Sequence, residues 1–581
     1  MLSAKQGGKH RRRVRIAVPA AAALIAAGIA GAMLMAPAGA TAAPVPTPGI
    51  EPGVSAPTQA ELEARLQSAA KKAEQPAKPA RFSAGAKIDP KIIGGTTTTI
   101  ASAPWMAQLF YEDGDNSFFC GGAVIAPTKI LTAAHCVKGK DWKNKGTIVT
   151  GTEKLATDAG HGGTLSGVWR QWNHPSYSAA TLDNDIAVLT LPMPVKAKPI
   201  AITKSDDTAS YKPGTNATVY GWGRTTSANN DISAKLRKAT VPVNSDAKCA
   251  DWILGDEFVK GHMVCAGKPA TGQDAGTVTA CNGDSGGPLV VGGRIVGVVS
   301  WGIEDCVEKG AYSVYAKVSS YAGAVVPRVD DTNLTGDHRA DIFARRSSGE
   351  LFHYASNGTK FGARESWGDY SGTNVILQTD QNRDGFEDMI VRTTGGDVYW
   401  SRYVPSNEAW ANTKIASGWG SRKHLVVPGD VTGDALPDLL SVDSGGTLWI
   451  YPGKGNGTFS ARTKVGTGWG QYSQLRGHGD FTGDGKADLI ARGSGGKMYL
   501  YKGTGKAGAA AFSGRVLVRT WGGYNAFDAA GDITGDGRAD LLARTPGGTL
   551  YLYPGTGKAS SEIFATRITI GTGWQQYNIF G

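Results

Sequence analysis

At 581 residues the chain is too long for one ordinary core, and its 81 glycines, 15 tryptophans and 19 tyrosines suit a soluble, β-leaning protein of two or more folded units. The net charge of +11 suggests a nucleic-acid partner until its distribution is read. Residues 1–40 carry six Lys/Arg and no acid, and residues 41–91 seven against five, so residues 92–581 hold only about +3 and make no case for nucleic acid or another acidic partner.

Residues 1–42 have the anatomy of a signal peptide. A basic run, Lys9-His10-Arg11-Arg12-Arg13-Val14-Arg15, precedes an apolar stretch from Ile16 to Met35, and small residues then fit cleavage at Ala38-Gly39-Ala40 or Ala40-Thr41-Ala42. A retained membrane anchor is the rival reading, since the apolar stretch approaches spanning length. The small-residue site and the Pro- and Ala-rich sequence behind it favour cleavage and a secreted protein; the arginine cluster matches a twin-arginine signal poorly, and the export route stays open. Residues 43–91 read as a propeptide or spacer, with one short helical run in which Leu62 and Leu66 stand four apart. All six cysteines lie between Cys120 and Cys306; in an exported chain they are expected to be bonded, by any of fifteen pairings.

From residue 92 to about 327, short β-rich runs such as 129–132, 186–189 and 294–299 are parted by Gly, Pro, Asn and Asp, which predicts an all-β barrel or sandwich. After Pro327 repetition takes over. Five segments starting at Asn333, Asp380, Asp430, Asp480 and Asp532 share a pattern near Asp-x-Thr-Gly-Asp, each followed by a further carboxylate at Asp341, Asp388, Asp438, Asp488 or Asp540. The starts are 47, 50, 50 and 52 residues apart, and Trp367, Trp419, Trp469, Trp521 and Trp574, each beside a glycine, keep the same beat. A period near 50 with about four strands predicts a β-propeller of about five blades, with those tryptophans in its core. Residues 575–581 match the run before the Gly-Asp of other repeats, so the last strand is expected to close the ring against the first blade.

A serine becomes a nucleophile when a base takes its proton and a third group orients the base. Gly283-Asp284-Ser285-Gly286-Gly287-Pro288 sets a serine in a glycine-rich turn. Thr132-Ala133-Ala134-His135-Cys136 sets a histidine behind a strand-like run, and Asp183-Asn184-Asp185-Ile186-Ala187-Val188-Leu189 sets a carboxylate before another. With Ile92-Ile93-Gly94-Gly95 and Ser300-Trp301-Gly302, these motifs make residues 92–327 resemble the chymotrypsin/trypsin family of serine proteases. Residues 328–581 resemble the FG-GAP/VCBS repeats of integrin-like propellers.

The first resemblance implies two six-stranded β-barrels and a secreted endopeptidase with His135, Asp185 and Ser285 as catalytic triad. Asp185 is preferred to Asp183 because it directly precedes the apolar run. Gly283 and Ser285 would supply oxyanion-hole N–H groups, Ser300 would sit behind the triad, and Ser300-Trp301-Gly302 would pair with the substrate backbone. The family's bridges would be Cys120–Cys136, Cys249–Cys265 and Cys281–Cys306. A cut between Lys91 and Ile92 by an activating protease would free an amine to pair with Asp284, making the chain a zymogen. The specificity pocket would be Thr279, Ala280, Gly302 and Ser313. Trypsins have aspartate where Thr279 stands, so a neutral pocket and cleavage after medium or hydrophobic side chains are expected; Glu304 is the nearby acid that would restore a preference for Lys or Arg. His161 and His174 read as structural.

In the repeats, carboxylates at positions 1, 5 and 9 around a glycine at position 6 follow the logic of a calcium loop. Asp480, Asp484 and Asp488, and Asp532, Asp536 and Asp540, fit best, whereas Ala435 and His338 replace the glycine in two other copies. The plainer alternative is that these carboxylates cap turns. No cofactor is expected for catalysis. A monomer is expected, acting on protein or peptide substrates, with a cell-surface, carbohydrate or protein ligand for the propeller. The competing reading is a secreted adhesion or carbohydrate-binding propeller protein whose protease domain is secondary; the full set of catalytic motifs argues against it.

Overall fold

The computed structural model describes residues 56–70, 92–114, 117–157, 160–228, 231–250, 257–303, 306–330, 332–335, 337–404 and 409–581. The expected signal peptide, Lys91 and Glu304 lie outside these residues.

Met106–Tyr111, Phe118–Ala126 and Lys129–Thr132 are strands buried along their whole length, as sequence covered on both faces should be. They are the middle of a sheet ordered Thr164–Ser166, Gly146–Thr150, Met106–Tyr111, Phe118–Ala126, Lys129–Thr132, Ala187–Thr190, Arg170–Asn173. Thr164–Ser166 pairs with Gly146–Thr150, and Arg170–Asn173 with Ala187–Thr190. Residues 167–169 alone part the two end segments, so one interrupted strand changes partner and closes a six-stranded barrel. The second sheet runs Arg237–Pro242, Asn216–Gly221, Pro288–Val291, Arg294–Trp301, Ser313–Lys317, Met263–Ala266, with the two-residue strand Thr96–Thr97 added at its edge. A bridge between Val243 and Ala266 brings its ends together. The three disulfides are Cys120–Cys136, Cys249–Cys265 and Cys281–Cys306.

Five four-stranded antiparallel sheets follow, one per repeat. Four use consecutive strands; the first joins Ile342–Arg346, Glu350–Tyr354 and Glu365–Asp369 to Tyr577–Phe580, with Ala344 opposite Phe580 and Arg345 opposite Ile579. The propeller therefore has five blades, and its ring is closed by hydrogen bonds between its first and last strands. Trp367, Trp469 and Trp574 are buried, Trp419 and Trp521 half-buried, all within aromatic clusters.

Each repeat's turn holds the residue at position 6 in the left-handed region: His338 at φ 66°, Gly385 at 83°, Ala435 at 74°, Gly485 at 76° and Gly537 at 91°. The carboxylate at position 9 staples the turn. Asp488 Oδ2 accepts from the N–H of Phe481 (3.0 Å) and Thr482 (3.1 Å), and Oδ1 from Gly503 (2.8 Å). Asp341 and Asp540 repeat the arrangement, with Oδ1 accepting from Ser356 and Gly555, each 15 residues on.

The helix Val318–Val329 runs across the expected boundary at 327/328 and ends on the turns of the propeller. Arg328 donates to His338 O (3.0 Å) and pairs with Asp532 (3.1 Å), while Asp330, buried just past the helix, pairs with Arg383 (2.6 Å). Burial works against the Asp330 charge, yet Arg383 and His478 hold its carboxyl well below the usual range. Arg294 donates to Gly433 O (2.8 Å), Lys204 to Gly505 O (2.6 Å) and Ser205 to Asp484 O, and Lys486 pairs with Asp206 (2.9 Å). All five turns thus touch the barrels or their terminal helix, and both domains belong to one compact unit, Pro44–Gly581.

Candidate active site

His135 is the second residue of the short helix Ala134–Val137 directly behind the buried strand Lys129–Thr132, and the bridge from Cys136 to Cys120 ties it to the neighbouring strand. Asp185 stands two residues before the buried strand Ala187–Thr190 and is 1% exposed. Its Oδ1 accepts from the His135 backbone N–H (2.8 Å), and Oδ2 faces His135 Nδ1 (2.8 Å) and accepts from Ser300 Oγ (2.6 Å). Asp183 is engaged elsewhere, 2.7 Å from His262 Nδ1. Neither His161 nor His174 bonds Asp185 among the described residues: His161 Nδ1 accepts from Gly163 N–H (2.9 Å), and His174 donates its backbone N–H to Ile186 O (3.0 Å) while its ring packs on Trp172 and Tyr321.

Ser285 is fixed through its backbone from both barrels. Its carbonyl accepts from Gly121 N–H (2.7 Å) in the first barrel, and the next residue, Gly286, donates to Val299 O (2.8 Å) in the second. A Cβ on Gly286 would strike Thr132, three residues before His135, so only glycine lets the serine turn approach the histidine so closely. Gly283 is at φ 92°, with Ile232 and Gly223 filling the space a side chain would need. Among the described residues no hydrogen bond joins Ser285 Oγ to the His135 ring; apo sites commonly tighten only with substrate.

Burial, the largest influence on His135, pulls its pKa down, but the charge and hydrogen bond of Asp185 outweigh it and the ring titrates above 6.5. Asp284 is fully buried, which pushes its carboxyl up to about 7 against hydrogen bonds from Cys281 N–H (3.0 Å) and Gly223 N–H (2.7 Å) and the charge of Arg237. Ile92 lies in the core of the second barrel with Val219, Leu289 and Tyr315.

Beside Ser285 a cavity is lined by Ala280, Ser300, Trp301, Gly302, Ile303 and Ser313, among others. Thr279, expected in the pocket, is not one of its lining residues; its hydroxyl lies 2.5 Å from that of Ser313, which is, and Ser313 Oγ accepts from Ala280 N–H (3.0 Å). These two hydroxyls are paired and uncharged. Where a Cβ would project from Gly302 the nearest atom is 3.8 Å away, so this wall leaves room for an entering side chain.

The acidic turns bear on cation binding. Their donors are the hard oxygens calcium prefers, and burial raises the carboxyls of Asp480 and Asp532. Both oxygens of Asp480 already accept backbone N–H groups, from Gly483 and Gly485, as do those of Asp532, from Gly535 and Gly537 (each 2.7 Å for the latter). Lys502 pairs with Asp484 (3.1 Å) and Arg538 with Asp536 (3.3 Å). Among the described residues the one close group of three metal-type ligands is Cys120, His135 and Cys136, whose cysteines are bonded to each other. In kind the donors of Asp480, Asp484, Asp488, Asp532, Asp536 and Asp540 fit calcium; in arrangement they cap turns.

Two features had no signal in the sequence. His262 meets Asp183 across 79 residues with no motif around it. Lys204, Arg294 and Arg328, the cations that dock the propeller, look like any surface lysine or arginine.

Residues 92–325 match the family model Trypsin, and residues 480–543 the FG-GAP-like repeat. A trypsin of Saccharopolyspora erythraea is 40% identical over 239 residues, 41% of this chain and 98% of that protein. Trypsin delta of Drosophila erecta is 38% identical over 246 residues (41% and 89%), and human kallikrein-14 is 36% identical over 235 (40% and 81%).

Proposed function

Because the chain belongs to the trypsin family and is therefore a serine endopeptidase, we propose that it cleaves peptide bonds through His135, Asp185 and Ser285, as a secreted enzyme held on its substrate or on a surface by the propeller. The observation that carries the triad is the single buried carboxylate of Asp185, bound at once to the backbone and ring of His135 and to Ser300.

Ser285 Oγ attacks the scissile carbonyl as His135 Nε2 takes its proton, and His135 then returns that proton to the leaving amine. Asp185 holds the proton of His135 on Nδ1 and stabilises the imidazolium. The N–H groups of Gly283 and Ser285 receive the developing oxyanion, where loss of one donor typically costs about 10²–10³ in rate. The backbone of Ser300-Trp301-Gly302 takes the substrate as an added strand. Water then releases the acyl group by the same steps in reverse. Reaction of Ser285 with a serine-directed fluorophosphonate tests this reading: labelling abolished by Ser285→Ala and by His135→Ala supports it, and labelling that survives either overturns it.

Activation by a cut between Lys91 and Ile92 is part of the proposal. Its support is the buried carboxyl of Asp284, which among the described residues has no formal positive partner in hydrogen-bond contact, next to the core that receives Ile92. The paired hydroxyls of Thr279 and Ser313 support cleavage after uncharged side chains. A peptide library cut after aromatic or aliphatic residues fits this pocket; cuts after Lys or Arg would move specificity to an acid such as Glu304. Calcium at the turns of Asp480 and Asp532 rests on their oxygen donors alone. A melting temperature raised by calcium over EGTA supports it, and identical melting rules it out.

A further inference from the structure

Part of the segment that a cut between Lys91 and Ile92 would sever from the enzyme is built into the barrel. Residues Gln59–Ala70 form a helix whose start is closed by reciprocal bonds, Thr58 N–H to Glu61 Oε2 (2.7 Å) and Glu61 N–H to Thr58 Oγ1 (3.2 Å). Leu62, Leu66 and Ala69, spaced to fall on one face, are 2%, 0% and 0% exposed. They share one buried cluster with Met106, Phe110, Phe119, Val149, Leu165 and Trp222 of the barrels. A polar rim surrounds that contact. Arg65 donates to the carbonyls of Lys143 (3.3 Å) and Gly146 (3.5 Å), Gln59 to that of Leu165 (3.5 Å), and Ser68 Oγ to Glu112 (3.1 Å). Pro57 lies so close to Gly167 that a Cβ there would strike its ring.

We propose that this helix remains on the enzyme after the bond between Lys91 and Ile92 is cut, as a second, non-covalently held chain. The inference rests on the activation reading above only in taking that bond as the one cut. Every contact of the helix is formed by residues 56–70, whereas the cut falls 21 residues beyond Ala70 and its consequence, the meeting of Ile92 with Asp284, belongs to the second barrel. Cutting therefore removes the tether and none of the contacts. A twelve-residue helix is marginal in water by itself, and its departure would expose both its own leucines and the aromatic side chains beneath them, so association is the state in which both surfaces stay covered. All six cysteines lie between 120 and 306, so no disulfide holds the segment.

The experiment is to cut the full-length protein between Lys91 and Ile92, pass it through size exclusion at micromolar concentration without denaturant, and weigh the enzyme peak by native mass spectrometry. The expected result is one complex containing both pieces, with hydrogen exchange at residues 62–69 as slow after the cut as before. A pro-segment that elutes alone from the wild-type protein, or whose exchange becomes that of a free peptide, overturns the proposal. Leu66→Asp is expected to release the segment after the cut; should that variant fail to fold, Arg65→Ala with Ser68→Ala is expected to raise the fraction released at least several-fold. Peptidase activity is read in the same samples and separates the two readings. Activity with the segment lost defeats this inference alone, while a retained segment on an enzyme that the cut does not activate defeats the activation reading alone.

Discussion

At the scale of single residues the site depends on one carboxylate doing three jobs. Asp185→Asn keeps the shape of the Asp185–His135 pair but offers the ring the wrong partner, so kcat is expected to fall by about 10⁴ with KM little changed. In the wild type the ring must be neutral to act, and Asp185 holds its pKa above 6.5. The acid limb of kcat/KM is therefore expected at higher pH than an unperturbed histidine would give, which a pH–rate profile checks. Asp284 carries a second pH dependence. In the uncut chain its folded pKa is about 7 against the ordinary 3.8, so the folded state binds the extra proton and gains stability that is full below about pH 4 and is lost as pH rises through 7. Melting of the uncut protein should fall over that range, and Asp284→Asn should flatten the fall. Ala435 gives a test by backbone geometry: at φ 74° an alanine is strained where glycine is not. Ala435→Gly should stabilise the propeller by about 1 kcal/mol, and Gly485→Ala, at φ 76° and against Ala322, should destabilise it by at least as much.

At the scale of elements, the propeller is a ring held shut by Tyr577–Phe580 on the first blade. Deleting residues 575–581 should lower the melting temperature of the whole propeller rather than fray one blade, and unchanged melting would remove the strand from that role. This pairing was legible in the sequence because a repeat grammar specifies what must come next. The triad motifs were legible for a similar reason, since Gly286, Cys136 and the run after Asp185 are local requirements of each side chain's position. The repeat carboxylates were legible as a pattern, and the pattern alone does not say whether they cap turns or hold calcium. Asp488 and Asp540 spend both oxygens on backbone N–H groups, one of them 15 residues away, and no spacing rule distinguishes that from a metal ligand. The pro-segment helix was visible as Leu62 and Leu66, yet the Gly167 that admits Pro57 lies about a hundred residues on and carries no local mark.

For the whole molecule, the surprise lies in where the propeller's turns go. They face the protease, and the helix Val318–Val329 enters them with Arg328 at its end and Asp330 just beyond. Removing one partner of a buried ion pair leaves the other uncompensated and commonly costs about 3–5 kcal/mol. Asp330→Ala should therefore uncouple the domains: two melting transitions in place of one, and faster proteolysis near residue 330, with hydrolysis of small peptides unaffected. A single unchanged transition would show that the remaining contacts suffice. An enzyme joined to its anchor by a loose leash searches a volume set by the leash, and shortening or lengthening it changes the local concentration gradually. Here the helix leaves no slack. Given the binding role proposed for the propeller, the cleft would be mounted at one angle and one reach from its ligand, so bonds at that distance would meet it at high effective concentration and bonds elsewhere on the same surface scarcely at all. Selectivity among targets then depends on reach as well as on the side chain that fills the pocket.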